Sequence, residues 1–247
     1  MSISKREEIR LARLKKKRQQ RMATLLGVGG FILLVVALIG LPSVIDKYRP
    51  AGEFNAATPV ERPLANGLAM GDPNAPVVIE VFEDYQCSAC KVYSESIETM
   101  IVASGYIENG YVYYIFRQYP FLDDSATIKQ SDATANASMC ANEQGSFWEY
   151  HDLLFANQGG ENAGGFTDRL LIAFADSIGL DVDQFTECYE QNAYQALIQA
   201  DIDLGIAYKI SGTPSVLVNG ELLTPGMVPT YEEIMAAVDA ALASSTE

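Results

Sequence analysis

The sequence predicts an α/β domain with a long helical insertion, preceded by a single N-terminal transmembrane helix. Three observations predict it. Ala23 to Ile45 is an uncharged, apolar span, long enough to cross a bilayer as a helix. The run Val77-Val78-Ile79-Glu80-Val81-Phe82 leads into Cys87-Ser88-Ala89-Cys90 and then into a helical pattern. Gly212-Thr213-Pro214 leads into two short apolar runs separated by Asn219-Gly220, and a second helical pattern follows.

The span comes first. Nine basic residues precede it: Lys5, Arg6, Arg10, Arg13, Lys15, Lys16, Lys17, Arg18 and Arg21, opposed only by Glu7 and Glu8. The positive-inside rule places this tail in the cytoplasm and everything after Ile45 outside. A cleaved signal peptide is the alternative. The long basic region, the length of the span and the lack of a clear A-x-A site favour an uncleaved anchor. The adjacent span also accounts for the basic tail better than a nucleic-acid-binding arm does. Beyond the span stand eight basic and 30 acidic residues, a formal charge of −22. A surface that acidic argues against nucleic-acid binding and favours solubility. Asp46 to Ala75 is rich in Pro and Gly and ends in the turn Gly71-Asp72-Pro73-Asn74, so it reads as a tether. The expected organisation is a basic cytoplasmic tail (1–22), an anchor (23–45), an extracytoplasmic linker (46–75) and one domain (76–247).

Within the domain, Val77 to Phe82 reads as a strand buried on both faces, and Tyr93, Ile97, Met100 and Ile101 follow helical spacing behind it. Two cysteines three apart at a helix start can close a small disulfide, and the helix dipole favours a thiolate at the leading sulfur. Cys87 is therefore the expected exposed nucleophile. Cys90 shares the stripe of Tyr93 and Ile97 and is the expected buried partner. Glu83 and Asp84 are placed in the loop. Tyr111 to Phe116 is a second strand. Residues 124–209 read as a helical insertion, with candidate helices at Ser125–Glu143, Ser146–Asn157, Thr167–Ile178, Val182–Glu190 and Tyr194–Tyr208; Gly159-Gly160 and Gly164-Gly165 mark its longest loop. Asn219-Gly220 signals a hairpin. Pro214 can open the strand before it, and a tight turn can hold such a proline cis. Tyr231, Ile234, Met235, Val238 and Leu242 line one face of the last helix.

A strand–CxxC–helix at one end and a Thr-Pro–hairpin–helix at the other is the thioredoxin arrangement. Four segments carry a closer resemblance: Asp84-Tyr85-Gln86-Cys87 with Cys90; Phe116-Arg117-Gln118-Tyr119-Pro120; Cys140 through Trp148 to His151; and Gly212-Thr213-Pro214 with Asn219-Gly220. On these the chain resembles the DsbA-like branch of the thioredoxin superfamily in its membrane-anchored form, over roughly Gly67 to Leu242. The resemblance implies a thioredoxin fold with a helical insertion that caps the active-site face and helps hold an unfolded polypeptide. An insertion that only shields the sheet is equally compatible with the sequence. The resemblance also implies that Pro214 is cis beside the CxxC and that the Thr213 backbone is offered to substrate. The partners it implies are reduced secreted polypeptides and a DsbB-like or VKOR-like membrane reoxidant. No cofactor and no metal are expected.

Other residues are weighed individually. Four cysteines permit three pairings; a local Cys87–Cys90 pair leaves Cys140–Cys188, a structural disulfide suited to an oxidising compartment. Two buried free thiols are the alternative, and a four-cysteine zinc site is disfavoured by the single CxxC. Related folds place a buried acid on the first strand, six residues before the first cysteine, to move a proton at the second. Here that position is Val81, and Glu80, one residue further back, turns to the other face unless the strand is bulged. Glu80 is thus a candidate for proton transfer that alternation opposes. His151 is the only histidine and reads as a helix residue, since disulfide exchange needs no imidazole. Phe147, Trp148, Tyr150 and Phe155 read as core packing. Ser88-Ala89 departs from the Pro-His dipeptide of well-known DsbA proteins and removes one source of thiolate stabilisation. The expected function is that of a membrane-anchored extracytoplasmic thiol–disulfide oxidoreductase introducing disulfides through Cys87–Cys90. A disulfide reductase or isomerase is the alternative of the same class, and a redox-inert binding or chaperone module that of another.

Overall fold

The computed structural model describes residues 5–48, 51–124 and 129–245. It divides into two units, Met1–Pro50 and Ala51–Glu247. The first is a single helix, α1 (Lys5–Tyr48). Within it, Lys15–Leu38 is long and apolar enough to cross a membrane. Leu25, Leu26, Phe31 and Leu38 are all exposed on it, as on a helix that is apolar around its whole circumference.

The second unit is built on a five-stranded sheet ordered β1-β3-β2-β4-β5. These strands are β1 (Ala69–Met70), β2 (Val77–Glu83), β3 (Val112–Gln118), β4 (Ser215–Val218) and β5 (Glu221–Leu222). β2 and β3 are parallel; the other neighbours are antiparallel. Alternation divides β2 between two cores. Val77, Ile79 and Val81 join Tyr114, Phe116, Val216 and Val218 in the larger one. Phe82 joins Tyr119, Ile210 and Leu217 in the smaller one. Asn219 and Gly220 both take positive φ (47° and 79°), which closes the β4–β5 hairpin.

β2 is followed by α2 (Ser88–Val92), a π-helical stretch over Tyr93–Glu98 and α3 (Thr99–Ala103). The extra residue in the π turn rotates the helical phase. Met100, expected inside, is exposed, whereas Glu98 is fully buried. The insertion holds α4 (Gln130–Glu143), α5 (Phe147–Ala156), α6 (Asp168–Ser177), α7 (Val182–Glu190) and α8 (Gln195–Ala207). Thr167 and Asp181 cap α6 and α7 with side-chain oxygens. The helix expected from Ser125 starts at Gln130; residues 125–128 lie outside the described residues. Cys140 on α4 and Cys188 on α7 form a disulfide. α9 (Tyr231–Ser245) closes the chain against β4 and β2, through Ile234 and Val238.

The expected linker over 46–75 needs correction. From Ala51 onward the chain belongs to the compact unit. Phe54 meets Phe174 edge-on at 5.0 Å, Asn55 is hydrogen-bonded to Asn157, and Arg62 is buried in ion pairs. Anchors as sparse as Phe54, Asn55 and Arg62 leave no periodic signature. β1, only two residues long, leaves none either.

Gly205 on α8 faces the ring of Tyr119, where a Cβ would lie 2.4 Å from Cε2. Tyr119 is itself packed edge-on to Phe82. Gly205→Ala should therefore lower stability by roughly 1–3 kcal/mol through overpacking, more than the helix propensity it gains. A thermal melt at or above that of the parent protein would show that the ring can move aside.

Candidate active site

β2 ends at Glu83, and the chain turns sharply before α2. Asp84 fixes the turn: its carboxylate accepts the amides of Gln86 (2.8 Å) and Leu122 (2.9 Å). Burial raises the Asp84 carboxyl to about 6, with these amides opposing. The side-chain Nε2 of Gln86 donates to Ser131 Oγ at 2.8 Å, tying the turn to α4. This delivers Cys87 to the N-cap of α2. Its thiol lies 3.3 Å from the Thr213 carbonyl oxygen, and the Thr213–Pro214 peptide is cis. The structure thus brings together Cys87, Cys90, Thr213 and Pro214.

The two sulfurs, both free thiols here, have unequal surroundings. The Cys87 thiol is lowered to about 6. A hydrogen bond from Cys90 lowers it most; burial opposes; Thr213 and the amides of Cys90 and Ala89 add to the lowering. Burial pushes the Cys90 thiol well up, and the hydrogen bond to Cys87 and the charge of Glu83 push it further. Cys87 is not the open thiol expected. It is 6% exposed against 0% for Cys90. Gln158, in the loop after α5, donates to the carbonyls of Tyr85 (2.7 Å) and Cys87 (2.9 Å), so the insertion closes over the turn. Ser88 is the exposed residue.

Glu80 does not face Cys90. It shares the Phe82 side of β2 and is held by Arg117 at 2.7 and 2.9 Å, and Arg117 also reaches Asp201 on α8. β2 is not bulged there, so alternation decides the face and removes Glu80 from proton transfer. The acid on the Val81 face is Glu83, which is the last residue of β2 and not part of the loop. It is 1% exposed, and neither carboxyl oxygen has a hydrogen-bond partner among the described residues. One of its oxygens, one of Glu98's and a ring nitrogen of His151 lie within 4.8 Å of one another. Carrying the alternation of Ile79 and Val81 two residues further would have found it. These groups do not suit a cation. Arg62 (2.7 Å) and the Tyr114 hydroxyl (3.1 Å) already hold the two oxygens of Glu98, and the guanidinium supplies the positive charge. Arg62 also pairs with Asp152 at 2.7 Å and lies over the Trp148 ring at 4.6 Å.

Residues 64–240 match the family described as Thioredoxin. The chain belongs to the thioredoxin family. It is similar to the probable disulfide bond formation protein D of Bacillus cereus, at 26% identity over 84% of this chain and 90% of that one. The crystal structure of oxidised BdbD from Bacillus subtilis superposes with a TM-score of 0.63 at 26% identity, over 76% of this chain and all of that one. The thiol–disulfide exchange protein α-DsbA2 of Wolbachia pipientis shares the fold, with a TM-score of 0.56 at 22% identity, over 70% of this chain and 85% of that one. The chain is a DsbA-like thiol–disulfide oxidoreductase of this family.

The alkylation rate of Cys87 in the reduced protein should titrate with a midpoint near 6, while Cys90 stays unlabelled through the neutral range. Because the folded pKa is depressed, the reduced form gains stability as pH rises from about 6 toward the ordinary cysteine value near ~8.5. It loses that gain as pH falls back through the folded value. Melting temperatures of reduced and oxidised protein across this window test the sign. A gap that does not widen with pH would contradict it.

Proposed function

We propose that this chain is a membrane-anchored, extracytoplasmic oxidase that introduces disulfides into secreted or surface proteins through Cys87 and Cys90. The observation that carries the reading is the polarised pair: a Cys87 thiol lowered to about 6 against a buried Cys90 held well up. In the oxidised enzyme a substrate thiolate attacks Cys87 Sγ. The Cys87–Cys90 bond breaks, and Cys90 leaves with the electron pair. The second substrate thiolate then attacks the substrate sulfur of the mixed disulfide and expels Cys87 as a thiolate. Its low pKa makes Cys87 a good leaving group and stabilises the reduced enzyme, which raises the reduction potential. Thr213 and Pro214 line this sulfur and offer substrate the backbone that the Cys87 thiol contacts here. The insertion covers the site and Cys140–Cys188 braces it. A DsbB-like or VKOR-like membrane protein reoxidises the pair.

The apolar span and the basic tail before it support an anchor over Ala23–Ile45, with the tail in the cytoplasm and the domain outside. An oxidising compartment suits a chain carrying the Cys140–Cys188 disulfide.

A Cys90→Ala variant should accumulate mixed disulfides through Cys87 in cells, and the native pair should be mostly disulfide-bonded there. A pair found mostly reduced, with a potential near that of thioredoxin, would replace the oxidase with a reductase. Replacing Cys140 and Cys188 together by Ala should cost about 4 kcal/mol, from the chain entropy of a loop closed over a separation of 48 residues. Denaturant unfolding measures this, and an unchanged midpoint would remove the bracing role.

A further inference from the structure

The insertion meets the cysteine turn at three successive residues. Gln158 Nε2 donates to the carbonyl oxygens of Tyr85 at 2.7 Å and Cys87 at 2.9 Å. Between them, the backbone amide of Asn162 donates to Gln86 Oε1 at 3.1 Å, and Gln86 Nε2 reaches Ser131 Oγ on α4. A glutamine amide has two N–H donors, and here both go to this one turn. Gln158 and Asn162 belong to a single loop after α5. Asn157, bonded to Asn55, and the buried Phe166 anchor its ends. A loop that only screened the turn would lay apolar side chains over it. This one has glycine at 159, 160, 164 and 165, its residues 161–165 are exposed, and Gln158 is half-buried. Its contacts with the turn are polar and matched to main-chain atoms.

Those main-chain atoms set the surroundings of the sulfur. The Cys87 oxygen also accepts the Lys91 amide at 3.2 Å, the first bond of a helix that stays α-helical only to Val92 before the π-helical stretch. With so short a ladder behind it, the first peptide plane of α2 depends on its outside partner as well. That plane leads into the amides of Ala89 and Cys90, which are hydrogen-bonded to Cys87 Sγ. The carbonyls of Tyr85 and Cys87 are negative dipole ends on the same turn, and two donors on them offset part of that charge. The titratable groups facing Cys87 are Cys90 from α2, Glu83 from the end of β2 and Asp84 from the turn. None of these supplies a positive charge. The state of the sulfur therefore rests on how the neighbouring dipoles are held.

We propose that Gln158 is a positioning residue for thiol–disulfide exchange: by holding the Tyr85 and Cys87 carbonyls, it keeps the backbone donors of α2 aimed at Cys87 Sγ. The proposal rests on the Cys87–Cys90 reading above and adds a part for the insertion in the chemistry. Gln158 acts through main-chain carbonyls, so it tunes how easily Cys87 attacks and leaves without taking part in either step.

The test uses the full-length reduced protein in detergent, with alkylation of Cys87 by iodoacetamide followed against pH. Gln158→Met keeps the length of the side chain and removes both donors. The Cys87 midpoint should rise by about half a unit or more, the scale of one net hydrogen bond, which is a roughly threefold loss of thiolate below the midpoint. The equilibrium with glutathione at neutral pH should move by about the same factor toward the disulfide form, because the reduced enzyme loses what its thiolate loses. Loss of a mere shield would lower the melting temperature of the oxidised protein and leave the midpoint in place; that result would overturn the proposal. A second measurement needs no variant at Gln158. In isotopically labelled parent protein, the Gln158 side-chain amide resonances should follow pH with the Cys87 midpoint, and should stop doing so in Cys87→Ser. Resonances indifferent to that titration would overturn the role of Gln158 and leave the Cys87 assignment standing. A parent protein whose Cys87 titrates as an ordinary thiol would overturn the polarised-pair reading and the role of Gln158 with it.

Discussion

The sharp exit from β2 into α2 is the constraint on which the rest of this structure depends. Seven extended residues, a turn pinned by the Asp84 carboxylate and an immediate helix start force two sulfurs into different environments. One sits at the helix N-terminus against the Thr213 carbonyl; the other is driven into the core under the sheet end. Neither asymmetry needs a charged neighbour. The Ser88-Ala89 dipeptide brings no charge, and the lowering of Cys87 comes mainly from its partner thiol. Replacing the turn would remove the polarity of the pair even if both cysteines remained.

A second layer of order comes from outside the thioredoxin core. Arg62 enters from the segment before β1, crosses the Trp148 face and joins α5 to the helical segment that follows the cysteines. Gln158, just beyond α5, holds the carbonyls of the cysteine turn. The insertion and the N-terminal segment therefore both grip the region around the sulfurs, one at the backbone and one through buried charge. Breaking the Arg62 pairs would leave the buried Glu98 and the part-buried Asp152 without that counter-ion, a heavier loss than an exposed ion pair.

Much of this was legible in the residues because it is periodic or local. β2, the CxxC helix start, the Asn219-Gly220 hairpin and the insertion helices each have a repeating pattern or a fixed turn chemistry. What escaped depends on phase and on distant partners. The π turn between Tyr93 and Glu98 shifts the helix by a residue, so Met100 faces out and Glu98 faces in. Glu83 looked like a loop residue because its strand runs one position further than its apolar run. The cover over Cys87 comes from Gln158, 71 residues away. Arg62 lies in a stretch whose prolines and glycines suggested a tether, and nothing local marks it as buried.

Trp148 is the only tryptophan in the chain. Its ring centroid lies 5.2 Å from that of His151, and the Arg62 guanidinium is stacked on its face. Indole emission responds to nearby charge and to imidazole protonation. Excited at the red edge of its absorption, where tyrosine does not absorb, this indole is therefore an optical readout of the buried ionic cluster, obtained without a label.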